Sequence, residues 1–233
     1  MKIKTERFAC MPSTNDYAKS KRGEREDLLE IARAQTGGRG TKGRSFSSEE
    51  GGLYLTKLTF YENFPAKEAF KIMQSAAAAV CETLAFFGVS PKIKWPNDVF
   101  VRGRKICGIL IENTFSGARI DNSVVGIGLN VCNKLPAELC KIATTLQRET
   151  GTCVSVEEVE KRLIDRLSEE EIYKKYADYL GWLGENVTLI SGEKQIPATL
   201  LSVDGNGGLW AQTSSGKMRF TAAEVSLRIE EED

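Results

Sequence analysis

Residues 37–52 read GGRGTKGRSFSSEEGG. Within them Gly38-Arg39-Gly40-Thr41-Lys42-Gly43 has the spacing G-x-G-x-x-G, so the fold turns on whether a helix follows. A dinucleotide fold needs its helix to start inside the loop, with the N-terminal N–H groups facing the pyrophosphate. Here the chain continues through Arg44, Ser45, Phe46, Ser47 and Ser48 into Glu49-Glu50-Gly51-Gly52, which is turn chemistry. The same residues approach a Walker A loop, but Arg44 stands where its lysine belongs, and again no helix follows. Both doubly wound readings are rejected. What remains is a glycine-rich loop carrying Arg39, Lys42 and Arg44. It reads either as a cradle for a polyanion such as a triphosphate or as a surface loop of solvated charges.

Working outward, LLEIARAQ (28–35) enters the loop as a strand and LYLTKLTF (53–60) leaves it as another. Residues 2–9 alternate as a strand, and Ser13 caps a short helix over about Asn15 to Lys21. Pro65 is expected to open a long helix that Gly88 closes, with Phe70, Met73, Ala77, Val80, Leu84 and Phe87 as its core stripe. KIKW, VFVRGRKICGILIEN and SVVGIGLNV follow as short strands joined by tight turns. VEEVEKRLIDRLSEEEIYKKYADYLGWLG (156–184) reads as one charged amphipathic helical region. From Asn186 five short strands with turn signals such as DGNGG (204–208) suggest a small β-barrel. The expected class is α+β: a catalytic domain at 1–183, with a mixed β-sheet flanked by helices, and a small SH3-like barrel at 184–233.

Composition narrows the chemistry. The 233 residues carry 32 basic and 32 acidic side chains, so any basic patch is local and general nucleic-acid binding is disfavoured. Histidine is absent, which removes Ser-His-Asp triads, Cys-His pairs and histidine-ligated metal sites. The six cysteines lack a C-x-x-C and mostly have apolar neighbours; they read as reduced core residues of a cytoplasmic protein. The start, MKIKTERFACMPSTND, has no signal-peptide run, and the apolar stretch Ala76–Val80 is too short to span a membrane.

Three further motifs carry candidate chemistry. Lys94-Trp95-Pro96-Asn97-Asp98 places a lysine on a strand end before a rigid turn. Asn97 and Asp98 can simply form an Asx-turn, or the lysine can be a charge set to orient phosphate and carboxylate. Gly126-Ile127-Gly128-Leu129-Asn130 puts glycines inside a strand, as for a bulge or close approach of a ligand. Ser13-Thr14-Asn15 reads as a helix cap or as hydroxyls facing an uncharged polar ligand.

Taken together, STN (13–15), AQTGGRGTKGRSF (34–46), KWPND (94–98), GRKICGILIE (103–112) and GIGLN (126–130) resemble the catalytic domain of biotin–protein ligases. The resemblance runs from near residue 5 to near 132, and the C-terminal strands resemble that family's small terminal domain. It implies a fold related to class II aminoacyl-tRNA synthetases. It also implies ATP-dependent formation of biotinyl-5′-adenylate, then transfer to one lysine of a biotin carboxyl carrier protein, with Mg2+ screening the phosphates. Residue by residue, it assigns Ser13, Thr14, Asn15, Gln35, Gly38, Arg39, Gly40, Thr41, Lys94 and Gly108 to biotin. To the nucleotide it assigns Arg39, Lys42, Arg44, Phe46, Asn97 and Asn130; Arg39 and Lys94 are its catalytic pair, and it names no protein metal ligand. Thr41 stands where well-known relatives carry arginine. Because the pattern begins at once, the resemblance is to ligases without a DNA-binding domain, so no specific DNA binding is expected, and a homodimer stays open. The alternatives are a lipoate–protein ligase and a non-enzymatic RNA-binding module. Lipoate lacks the ureido ring that Ser13, Thr14 and Gln35 suit, and zero net charge weighs against RNA.

Overall fold

The computed structural model describes residues 3–229, with the side chain of Lys42 outside the description. Strands β1 (Lys4–Phe8), β2 (Leu28–Ala32), β3 (Leu53–Pro65), β4 (Lys92–Lys94), β5 (Asp98–Val101), β6 (Arg104–Ser116) and β7 (Arg119–Leu129) form one mixed sheet. Its order is β1-β2-β3-β7-β6-β5-β4; β1 and β2 run parallel and every other pair antiparallel.

The period-two pattern of the long central strands sorts their side chains onto two faces. Leu29, Ile31, Leu55, Ile127 and Ile109 lie on one face, in the main hydrophobic core. That face is covered by helix α2 (Phe70–Phe86) and by a helix at Val156–Leu167. Ala76 to Val80 of α2 are almost completely buried. Small residues there let the helix approach the sheet closely, and each fully buried Leu, Ile or Val around them is worth roughly 1.5–3 kcal/mol. The opposite face carries Leu28, Glu30, Thr56, Leu58, Val124, Gly126 and Gly128. Helix α1 (Thr14–Ser20) covers its β2–β3–β7 part, with Ala18 on Leu28, Leu58 and Val124.

Three sequence expectations change. Pro65 does not open α2: its ψ is 131°, it ends β3 paired with Arg119, and a 3-10 turn over Ala66–Glu68 precedes the helix. A strand end tolerates proline as well as a helix start does. The region 156–184 is not one helix. After a short helix α3 (Leu146–Thr150), α4 spans Val156–Leu167, and a 3-10 stretch runs Ile172–Tyr179. Glu169, Glu170 and Glu171 follow the C-cap Ser168 of α4, where the helix dipole disfavours negative charge. Of the six cysteines only Cys81 and Cys107 are buried; Cys10, Cys132 and Cys153 are exposed, and all six are free.

The C-terminal strands β8 (Asn186–Ser191), β9 (Lys194–Val203), β10 (Leu209–Thr213), β11 (Gly216–Phe220) and β12 (Ser226–Arg228) form a second, wholly antiparallel sheet. Its order is β11-β10-β9-β8-β12. Its core of Val187, Leu189, Leu200, Leu209, Ala211, Val225 and Leu227 also contains Trp95 and Trp182 from earlier in the chain. The small sheet is thereby cored onto the turn that follows β4.

Candidate active site

A cleft of about 1540 Å³ opens over the glycine-bearing face of the large sheet. It is lined by Ser13, Thr14, Asn15, Gln35, Arg39, Gly40, Thr41, Arg44, Phe46, Lys94, Asn97, Gly108 and Asn130, so the tertiary fold brings together most of the residues singled out above. Gly38 is not in the lining. A Cβ there would stand 2.4 Å from the Phe46 carbonyl and the Ser48 hydroxyl, so this glycine serves close packing within the loop. The assignment of Lys42 to the nucleotide rests on a side chain outside the description.

One end of the cleft is polar but uncharged. The Gln35 carbonyl oxygen accepts from the Thr14 N–H at 2.8 Å and its hydroxyl at 3.0 Å. The Thr56 hydroxyl lies 2.8 Å from both the Thr14 hydroxyl and the Asn15 carbonyl oxygen. Gln35 Nε2 donates to Ser48 Oγ at 3.0 Å, and Ser13 caps α1 by accepting from the Asp16 N–H at 3.3 Å. This network fixes rotamers and leaves both donors and acceptors along one wall. Thr56 and Ser48, which brace this wall from behind without lining the cleft, were missed in the sequence because each looks like an ordinary residue of a strand or turn.

The other end is cationic. Among the described residues, Arg39, Arg44, Lys92, Lys94, Arg102, Arg104, Lys105 and Lys141 line the cleft with the carboxylates of Asp98 and Glu185; Arg102 and Arg104 are paired with Glu149 at 3.7 and 2.8 Å. A chain of zero net charge thus concentrates positive potential where a polyanion would lie. Lys94 is half-buried, and burial pushes its ammonium pKa below the ordinary lysine value. Asp98 opposes that shift, while Lys105, Arg44 and Arg228 reinforce it. Asp98 is itself taken by Lys105 at 2.6 Å. Lys105, inside GRKICGILIE, is the clearest functional candidate that the sequence reading passed over; its placement opposite β5 beside Gly108 could not be read from the chain.

The glycine-rich loop is a small hairpin. The Gly40 N–H donates to the Arg44 carbonyl at 2.7 Å and the Phe46 N–H to the Gly38 carbonyl at 2.9 Å. Arg39 bonds Asp16 at 2.6 Å, an acid shared with Lys19 at 2.8 Å. Lys19 and Arg39 together hold Asp16 below its usual carboxylate range. Arg39 must leave Asp16, or share it, to meet a phosphate. Arg44 bonds the Thr41 carbonyl and hydroxyl at 3.3 and 3.2 Å.

The glycines of GIGLN mark close approach, but by the protein's own side chains. A Cβ on Gly126 would lie 1.9 Å from Asn15 Oδ1, and one on Gly128 2.6 Å from the Phe46 ring. Gly108 pairs across the ladder with Gly128, and a Cβ there would lie 3.2 Å from the same ring. Phe46 thus lies over a floor of two glycines, with Lys105 Nζ 5.8 Å from its centroid. Asn97 makes no Asx-turn: its amide donates to the Ile109 carbonyl at 2.7 Å and ties β5 to β6. Asn130 is buried and accepts from Asn133 at 3.1 Å.

Comparison with known proteins gives the class. Residues 7–130 match the model of the Biotin/lipoate A/B protein ligase family, and the chain belongs to that family. The bifunctional ligase/repressor BirA of Bacillus subtilis is 30% identical over 218 residues, covering 87% of this chain and 66% of its own length. The biotin–[acetyl-CoA-carboxylase] ligase of Paracoccus denitrificans is 29% identical, covering 84% of this chain and 88% of its own. The biotin protein ligase of Aquifex aeolicus, solved with biotin and ATP, superposes with a TM-score of 0.79 at 30% identity, over 97% of this chain and 99% of that one. The fold is therefore that of biotin protein ligases, and an RNA-binding module is no longer a competing reading.

Proposed function

We propose that this protein is an ATP-dependent biotin–protein ligase. One observation carries the reading: in a chain of this family, a single cleft joins a neutral hydrogen-bonding wall to a cationic end. Ser13, Thr14, Asn15 and Gln35 supply the donors and acceptors that a ureido ring needs without a charge to desolvate, with Thr56 buried behind them as a partner of Thr14 and Asn15. Lipoate has no such ring and would gain none of these contacts, each worth about 0.5–1.5 kcal/mol net. Arg39, Arg44, Lys94 and Lys105 face the carboxylate and the phosphates.

In the first step a biotin carboxylate oxygen bonds to the α-phosphorus of ATP, the bridging P–O bond breaks, and pyrophosphate leaves. Lys94 neutralises charge where the two anions meet, and the loop hairpin orders the nucleotide. Mg2+ enters as the counter-ion of ATP, a substrate; among the described residues no group of three His, Cys, Asp or Glu could hold a metal. In the second step the amine of a carrier-protein lysine attacks the acyl carbon, forms an amide and releases AMP. No protein nucleophile is required. The proposal includes the carrier as partner, a cytoplasmic setting where ATP is supplied, and no specific DNA readout. Among the described residues no helix is long and apolar enough to cross a membrane.

Incubating the purified protein with labelled MgATP and biotin, or lipoate in its place, tests the reading. Biotinyl-adenylate with biotin alone is expected; adenylate formed with lipoate only would assign the other branch of the family.

Two predictions belong to the loop. Residues 37–52 should gain hydrogen-exchange protection when biotin and nucleotide bind, because anions neutralise Arg39 and Arg44 and offset the entropy of ordering a glycine-rich segment. Equal exchange with and without ligands would show that ligands do not order the loop. Thr41→Arg should slow dissociation of biotinyl-adenylate by about tenfold or more. A charge-assisted contact is worth about 1.5–3 kcal/mol, and the substitution also frees Arg44 from the Thr41 hydroxyl. Dissociation as fast as from the wild type would show that charge at this position does not retain the intermediate.

A further inference from the structure

We propose that the turn at residues 204–208 of the C-terminal sheet is a positioning element for Lys94, acting through the hydrogen bond from the Trp95 indole to the Gly207 carbonyl. The inference rests on the role assigned to Lys94 above.

Lys94 ends the outermost strand of the large sheet. β4 has three residues and pairs with β5 alone in that sheet, so its position needs support from outside. Before Lys94, Ile93 bridges to Leu180 and its carbonyl accepts from the Gly181 N–H at 3.0 Å; after Lys94, the support comes through the next two residues. Trp95 is buried in the core of the C-terminal sheet, and its Nε1 donates to Gly207 O at 3.0 Å. The Tyr176 hydroxyl donates to Pro96 O at 3.3 Å. The two grips share a backstop. Gly207 lies so close to Phe70 that a Cβ would stand 2.5 Å from its ring, and Phe70 meets Tyr176 edge-on at 5.5 Å.

The Gly207 carbonyl is itself held by a preorganised turn. Asp204 Oδ1 accepts from the N–H groups of Asn206 and Gly208 at 3.0 and 2.9 Å. Its Oδ2 accepts from Trp210 Nε1 at 3.2 Å and Arg219 Nε at 2.6 Å. Gly207 has φ +81°, which a glycine adopts without strain. Asp204 does not line the cleft, so an effect of this residue on chemistry must be relayed. A misplacement of about 1 Å at a reacting group can cost on the order of 100-fold in rate, so a partial loss of this support is readable.

The test uses the full-length chain with MgATP and biotin, following pyrophosphate release. Trp95→Phe keeps an aromatic ring in the core while deleting the indole donor; Asp204→Ala dissolves the turn from outside the cleft. Each is expected to lower kcat about tenfold while the biotin Kd holds within about twofold. In a Lys94→Ala background, measured with enzyme in excess, neither should lower the residual rate further, because the route to the chemistry is already gone. Full kcat in Trp95→Phe alongside a dead Lys94→Ala overturns this inference and leaves the role of Lys94 standing. So does an undiminished effect in the Lys94→Ala background, which marks a general structural role. A fully active Lys94→Ala overturns the role of Lys94 itself. Should Asp204→Ala melt early, Trp95→Phe decides alone.

Discussion

Lys94→Ala should lower pyrophosphate release from MgATP and biotin by about 100-fold or more while leaving the melting temperature within a few degrees. The rate loss follows from what the side chain offers. It is a compact ammonium on the last residue of β4, half-buried, among cations that together attract a polyanion. Preorganised charge in a partly dry site is worth several kcal/mol in a transition state, and about 2.7 kcal/mol already equals 100-fold. The fold survives because Lys94 contributes little to it. Burial disfavours its charged form, its neighbour Asp98 is paired with Lys105, and its ammonium meets only the face of the Phe100 ring, 5.1 Å from the centroid, among the described contacts. Lys94→Arg should rescue poorly, since a planar guanidinium does not reproduce a point charge. Near-normal release by a folded Lys94→Ala would falsify the role.

Glu30→Met should stabilise the protein by several kcal/mol at pH 8 and by far less at pH 5. Glu30 sits in the middle of β2 with no exposed surface, and neither carboxyl oxygen has a partner among the described residues. Burial, with Glu6 adding to it and Lys21 opposing, pushes its pKa from 4.5 up to about 8. The unfolded chain releases this proton near the ordinary value while the folded chain keeps it. Stability from this residue is therefore greatest at acid pH and falls as pH rises through the interval up to about 8. At about 1.4 kcal/mol per unit, the loss across that interval is on the order of 4 kcal/mol. Methionine matches the length, carries no charge and fills the site. For a chain of this size a gain of that order raises the melting temperature by roughly 10 °C. Melting curves at pH 5 and pH 8 decide it. If wild type and variant lose equal stability between the two, Glu30 is not the group that titrates. The carboxyl lies opposite Thr56 in the ladder, beneath the hydroxyls assigned to biotin. A destabilising residue placed there fits the pattern in which functional sites break local rules.

Much of the fold was legible in the chain because its causes are local. Strand alternation in 53–60, the Ser13 cap and the helix stripe from Phe70 to Leu84 each depend on spacing within a few residues. Where the reading slipped, two local rules competed. Pro65 suits a helix start and a strand end equally, and the amphipathic pattern after Val156 runs past three glutamates that a helix terminus rejects. The site was legible as motifs and not as partners. Gly126 and Gly128 announced close approach, but only the sheet register shows that Asn15 and Phe46 fill the space.

By itself the sequence determined that a glycine-rich loop without a following helix excludes the doubly wound folds, that histidine chemistry is impossible, and that the five motifs in order resemble biotin–protein ligases. Tertiary structure alone decided that eight cations among the described residues of a neutral chain share one cleft, that Arg39 rests on Asp16, that Lys105 takes Asp98, and that the C-terminal sheet grips Trp95. The reason is physical. Propensity and periodicity are set by neighbours in sequence, whereas charge pairing and positioning depend on distances across strands and domains that only the packed chain defines.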